Sequence, residues 1–168
     1  MRILFILSLF LISTQLGHSQ VISYPKASLT LNLKGSSGTN GSAVVYEPKT
    51  ELYYTIIAGN AKFPLEVFNS SGVNVYQTNT GNDLRGAWWN KKTGQIEANC
   101  ATSDGWISIG LDDKGFPSMG NNSIYSGANH QPDMNAVGAY DGKKYVYYWW
   151  NGAVHLYSRK TGELFDKK

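Results

Sequence analysis

Short runs of alternating apolar and polar residues, separated by polar turns that contain glycine, occupy most of the chain. One set of such segments reads strand, turn, strand: Ala43–Tyr54, Ala87–Ile96 and Val137–Val146. A second set follows each member of the first: Leu65–Val75, Ile107–Phe116 and Val154–Leu164. Alternation with a period of two is typical of strands, and glycine supplies the positive φ of tight turns. The pattern therefore predicts β-hairpins throughout and no helix.

The hairpins recur with a fixed spacing. Thr50 and Thr93 are 43 residues apart, and Gly72 and Gly115 are also 43 apart, whereas Gly115 and Gly162 are 47 apart. A period of about 43 residues with about four short strands is the pattern of propeller blades. We therefore predict an all-β fold, a partial β-propeller of about three four-stranded antiparallel blades, at about 41–80, 84–120 and 135–168. One N-terminal strand, Ser28–Leu33, is predicted within the segment 20–40.

Two of the turns carry the sequence Lys-Thr-Gly, at 92–94 and 160–162. With their flanking strands they resemble the hairpins of secreted β-propellers of the NHL-repeat and quinoprotein-like types, over about Gly41 to Phe165. A Trp-Asp blade ending, a kelch Gly-Gly pair and the quinoprotein docking motif are missing. The resemblance therefore implies a blade architecture, but it identifies no subfamily and transfers no functional residue.

Three blades raise a problem of closure, because closed propellers have about 4 to 8. The sequence leaves an open arc, a homodimer that completes a six-blade ring, and a fragment of a longer propeller as alternatives. Uncovered sheet edges and faces promote aggregation, which makes the isolated arc the least favoured. We rank the fragment first and the homodimer second.

The N-terminus has the pattern of a signal peptide. Arg2 precedes an apolar run from Ile3 to Ile12, and the small residues Gly17 and Ser19 precede Gln20 as in a cleavage site. We therefore expect residues 1–19 to be removed and the mature chain to be secreted or periplasmic, with no membrane association after removal. The single cysteine, Cys100, excludes an intrachain disulfide and is expected to be buried and inert.

The charge excludes one class of partner. The formal net charge is only +3, and the basic residues are dispersed, which argues against a nucleic-acid partner. A protein or a carbohydrate remains possible. The aromatic residues Trp88, Trp89, Trp106 and Tyr147–Trp150 could stack on sugars, but we expect them in the core, because neighbouring blades cover both faces of a blade.

The candidate ligand-binding residues are Asn129, His130 and Asp133, in the longest irregular stretch of the chain. Loops on a rigid scaffold often carry binding residues, although a plain polar connection between blades is the favoured explanation of this segment. One histidine and one carboxylate fall short of the three protein ligands of a typical zinc site. His155, which alternates with apolar neighbours in a strand, is expected to be structural.

The sequence contains no catalytic motif that we can identify, and we expect no metal and no cofactor. The aspartates at 112 and 113 lack the ladder of a calcium loop and are expected in a hairpin turn. The sequence favours an exported, non-catalytic binding or scaffold module of the β-propeller type. The alternative is a fragment or remnant of a propeller enzyme, of the lyase, lactonase or quinone-dependent dehydrogenase type.

Overall fold

The computed structural model describes residues 28–34, 40–58, 64–100, 105–125, 137–150 and 152–167. These residues form an all-β fold of three four-stranded antiparallel sheets. Sheet A contains β1 (Asn40–Glu47), β2 (Leu52–Ala58), β3 (Pro64–Phe68) and β4 (Asn74–Asn79). Sheet B contains β5 (Leu84–Asn90), β6 (Gln95–Cys100), β7 (Trp106–Leu111) and β8 (Pro117–Tyr125). Sheet C contains β9 (Val137–Tyr140), β10 (Tyr145–Trp150), β11 (Ala153–Ser158) and β12 (Leu164–Lys167).

Each sheet is a simple meander in which strands that are consecutive in sequence are neighbours. The sheets approach each other most closely at their first strands, since β5 lies against β1 on one side and β9 on the other. This convergence of meander sheets at their first strands is how blades are arranged around a propeller axis. The predicted fold class, a partial β-propeller of three blades, is confirmed. No helix in the described part of the chain is long and apolar enough to span a bilayer.

Two apolar clusters hold the sheets together. The first, between sheets A and B, includes Tyr54, Ile56 and Ile109. The second, between sheets B and C, is aromatic, with the rings of Trp88 and Trp106 edge to face and 6.3 Å apart. Aromatic pairs in this geometry stabilise a core beyond the area that they bury. An apolar core thus lies between each pair of neighbouring sheets.

The turns repeat the same polar chemistry in each blade. In the first hairpins, the side chains of Glu47, Asn90 and Asp141 accept hydrogen bonds from backbone N–H groups of the turn that follows. In the second hairpins, Asn69 and Asp112 do the same. Such bonds satisfy amides that the strands leave without partners. Asp112 therefore serves the turn, as predicted.

The N-terminal segment departs from its prediction. Residues 28–34 are not a strand of any of the three sheets, although Leu29, Leu31 and Leu33 are half-buried while the residues between them are exposed. The Lys34 amide donates to the Glu66 carboxylate at 3.0 Å. Because a carboxylate of sheet A accepts this bond from the backbone N–H, the segment lies on the first blade.

Candidate functional site

The predicted ligand-binding residues Asn129, His130 and Asp133 lie outside the residues that the structure describes, so their role stays a prediction. Among the described residues, no group of three or more His, Cys, Asp or Glu side chains could hold a metal ion. Cys100 is buried, as predicted, and His155 is also buried. The exposed surfaces of the blade stack are the remaining candidates for a binding site.

The outer face of sheet C is the most apolar of these surfaces. On β10, Val146 and Tyr148 are fully buried against sheet B, whereas Trp149 is 65% exposed. The strand register places Val154 opposite Trp149 on the same face. Phe165 is 62% exposed, and its ring lies 4.9 Å from that of Tyr145. We call this surface, made of Tyr145, Tyr147, Trp149, Val154, Leu156 and Phe165, the trailing face.

The outer face of sheet A is exposed along β1, whereas residues 28–34 cover it at Glu66 and at the Gly72 turn. On β1, Val44 is 59% exposed and Tyr46 is 43% exposed, while Val45 between them is buried toward sheet B. The Tyr46 ring lies 4.8 Å from that of Tyr53, its register partner on β2. We call the surface of Val44, Tyr46 and Tyr53 the leading face. The two faces are at opposite ends of one stack.

The repeat shows what each face would contact in a longer stack. Tyr46, Trp89 and Tyr140 all directly precede the residue that caps the first turn of their blade, so they are equivalent positions. Trp89 and Tyr140 pack against the apolar clusters between blades. Tyr46 is therefore the exposed counterpart of residues that elsewhere pack against the preceding blade.

A similar series of positions joins each blade to the next. The Tyr54 hydroxyl donates to the Gly115 carbonyl, at 2.6 Å, in the second turn of the next blade. Burial, the largest effect, raises the pKa of Tyr54 to about 12, which keeps the hydroxyl protonated as a donor. Glu97 is the equivalent residue of sheet B, and Tyr147 that of sheet C. Tyr147 lies on the trailing face.

Glu97 forms a buried ion pair between the second and third blades. Its carboxylate accepts two hydrogen bonds from Arg159 of the third blade, from Nε at 2.7 Å and from Nη2 at 2.5 Å. It also accepts bonds from Trp88 Nε1 at 2.9 Å and Asn90 Nδ2 at 2.7 Å. A carboxylate this deeply buried is tolerated only with a cation and hydrogen bonds around it. Glu97 therefore helps to hold the second and third blades together, at the junction that we call the second seam.

The aromatic prediction was correct for Trp88, Trp106 and Tyr148 but wrong for Tyr147 and Trp149, which lie on the trailing face. Trp88, Trp106 and Tyr148 are buried in the core between sheets B and C. Trp149, also expected in the core, is the most exposed large apolar residue of the described chain. Alternation along β10 correctly places Trp149 on the face of the sheet opposite to Val146 and Tyr148. The expectation of burial failed because no blade in the described part of the chain packs against that face.

No family model and no curated protein matches the chain. Among solved structures, the chain is similar to a protein of unknown function from Bacteroides caccae, with 12% identity and a TM-score of 0.43. It is also similar to the Cps50 (Swd1) β-propeller domain from Myceliophteria thermophila, with 11% identity and a TM-score of 0.44. The matches cover 79% and 77% of this chain but 47% and 41% of the two structures. The chain thus spans less than half the length of either.

Proposed function

We propose that the protein is an exported, non-catalytic binding module of the β-propeller type, whose trailing face docks on the blade of a partner protein. The partner to which we commit is a second copy of the chain. The observation that carries the proposal is the exposure of Trp149 and Phe165 on a face whose counterparts in sheets A and B are covered by the next blade. Contiguous exposed apolar patches mark interaction sites on soluble proteins.

The leading face of the second copy is the natural complement. It offers Tyr46, whose equivalents Trp89 and Tyr140 already pack against a preceding blade. Tyr147 would meet the turn around Gly72 of the other copy, as Tyr54 meets the turn around Gly115. Leu29 and Thr30 already lie against the Gly72 turn, so this docking requires residues 28–34 to move aside. Two copies of three sheets supply six blades, within the range of about 4 to 8 in which propellers close.

The buried carboxylates support a binding role over an enzyme remnant. Glu47 accepts bonds from turn amides, Glu66 from the Lys34 amide and from Asn74, and Glu97 from Arg159. Each of these groups is thus engaged in holding the scaffold. General acid–base chemistry would instead require a carboxyl group directed at a substrate.

The test is the mass of the chain in solution, measured by light scattering after size-exclusion chromatography over a concentration series. We expect a discrete dimer. Trp149→Glu should shift it to monomer, because a charge would enter an apolar interface. Leu164→Glu is the matched control, since Leu164 is 53% exposed but pairs with Tyr157 on the other side of the sheet. The control should remain dimeric.

A milder variant tests the contact itself. Tyr147→Phe retains the ring and removes one hydrogen bond, worth about 1 kcal/mol, from each of the two contacts of the closed dimer, which should raise the dimer dissociation constant about thirtyfold. A monomer at every concentration would refute the proposal. A dimer that survives Trp149→Glu would also refute it, because the trailing face would then lie outside the interface.

A further inference from the structure

A cavity at the seam between the second and third blades is not explained by docking of the trailing face. Its volume is about 370 Å³, within the range of about 300–1,000 Å³ typical of small-molecule sites. Turns of both blades contribute to it. The lining residues are Asn90, Lys92, Thr93, Tyr140, Lys143, Lys144, Arg159 and Lys160.

The lining is strongly basic. Arg159 is paired with the Glu97 carboxylate, and the Lys144 ammonium lies over the rings of Tyr145 and Phe165. The positive charge of the cavity therefore comes mainly from Lys92, Lys143 and Lys160. The Lys92 ammonium donates to the Lys143 carbonyl at 3.1 Å, and that bond leaves its charge uncompensated. A second carboxylate, Asp141, adjoins the lining and keeps its charge while its Oδ1 accepts bonds from three amides of its own turn, so it offsets one lysine charge at most. The cavity therefore holds an excess of positive charge.

An equivalent cavity lies at the seam between the first and second blades and carries the opposite charge. Its volume is also about 370 Å³, and its lining includes Glu47, Asp112 and Asp113 but a single lysine, Lys49. Two cavities of equal size at equivalent seams indicate that the scaffold produces the space. The scaffold does not require the lysines, which repel one another at a cost in stability. The basic side chains are thus a specific property of the second seam.

We propose that this basic cavity binds an acidic saccharide, a sugar that carries carboxylate or sulfate groups. The lysines supply charge for the anionic groups, and Tyr140 contributes an aromatic wall on which the apolar face of a sugar ring can pack. The cavity has room for more than a bare anion. Lys144 connects the cavity to the trailing face, but the other lining residues lie off that face, so the saccharide proposal does not rest on the proposed dimer.

Titration calorimetry of the full secreted chain tests the proposal with four probes: tetragalacturonate, a sulfated heparin tetrasaccharide, the neutral cellotetraose and inorganic sulfate. We expect binding of at least one acidic tetrasaccharide, stronger than that of sulfate, and no binding of cellotetraose. The two acidic probes distinguish carboxylate from sulfate as the favoured group. Raising the salt concentration should weaken binding, because exposed charges are screened.

Two variants with matched charge locate the site. Lys143→Gln with Lys160→Gln should weaken binding of the acidic saccharide about tenfold, since two partly exposed charges of about 0.7 kcal/mol each amount to about 1.4 kcal/mol. Lys49→Gln with Lys114→Gln removes the same charge elsewhere and should leave affinity within about twofold. Melting temperatures of both variants establish that they are folded.

A third variant separates a saccharide site from a plain anion site. Tyr140→Leu should weaken the tetrasaccharide several-fold and leave inorganic sulfate unchanged, because only the sugar uses the ring. An equal loss of saccharide affinity in the two double-lysine variants would overturn the proposal, because it would indicate nonspecific attraction to positive charge. Binding of poly-glutamate as tight as that of the saccharides would also overturn it, in favour of an acidic protein segment.

Discussion

Removal of Arg159 should destabilise the whole stack, because it leaves a buried carboxylate without its cation. The Glu97 side chain is 1% exposed and that of Arg159 is 19% exposed. Breaking a buried ion pair by removal of one partner costs about 3–5 kcal/mol. Trp88 and Asn90 still donate to Glu97, and Arg159 is partly solvated, which places the loss at the lower end. We expect Arg159→Met to lower the free energy of unfolding by about 3 kcal/mol.

A double-mutant cycle in urea denaturation measures the contact. Glu97→Gln removes the charge and keeps a side-chain oxygen that can still accept bonds. The coupling energy between Arg159→Met and Glu97→Gln should be about 2 kcal/mol. Lys92→Met is the control, since Lys92 forms one exposed bond across the same seam, and its loss should cost no more than about 0.5 kcal/mol.

The reasoning is wrong if Arg159→Met costs no more than Lys92→Met, or if the coupling energy is near zero. Should Arg159→Met fail to fold, Arg159→Lys provides the measurement. Lysine restores the charge but not the two parallel bonds of the guanidinium. The loss of stability in Arg159→Lys should therefore lie between that of Lys92→Met and that of Arg159→Met. A lysine variant as stable as the parent would show that the bidentate geometry contributes nothing.

Three further predictions follow from single contacts. Gly86→Ala places a methyl group 2.3 Å from a backbone nitrogen of β9 and should cost at least about 2 kcal/mol in chemical denaturation, whereas Gly110→Ala meets only a serine hydroxyl and should cost much less. Glu51 has a φ of 57° where the equivalent Gly94 has 66°, so Glu51→Gly should stabilise by about 1 kcal/mol and Gly94→Ala should destabilise by a similar amount, both measured by thermal melting. Burial raises the pKa of Tyr54 to about 12. The contribution of Tyr54 to the free energy of unfolding is therefore complete below about pH 10 and is lost as the pH rises toward 12. The stability of Tyr54→Phe, measured by circular dichroism, should fall less steeply with rising pH than that of the parent.

The fold was predictable because its determinants are local. The glycines at 72, 115 and 162 all have positive φ, as the turn pattern required, and the strands alternate as the sequence does. The turn at Asp141 is longer than its sequence suggests. An Asp-Gly pair is typical of a two-residue hairpin, but residues 142–144 form the turn and the Asp141 side chain accepts bonds from the amides of Lys143 and Lys144. A side chain that accepts several amides allows a longer turn than the Asp-Gly pair suggests.

The surfaces were not predictable in the same way, because they depend on residues distant in sequence. Arg159 and Glu97 are 62 residues apart, and no local pattern pairs them. Trp149 shows the same limit, since alternation gives the face of a side chain and not what lies opposite that face. The repeat itself contained a usable signal. Once Thr50 and Thr93 are aligned, Tyr54 and Glu97 coincide, which marks a seam position where the chemistry changes.

The departures from the repeat are therefore more informative about function than the repeat. At the seam position, Tyr54 binds a backbone carbonyl of the next blade and Glu97 binds Arg159. Both solve one structural problem, the joining of adjacent blades, but only the second brings a guanidinium beside a group of lysines. A scaffold that needed only to join blades could have repeated the tyrosine, which avoids the cost of burying a carboxylate. Because the costlier solution coincides with the basic cavity, the second seam is where selection for binding, as distinct from folding, is expected to have acted.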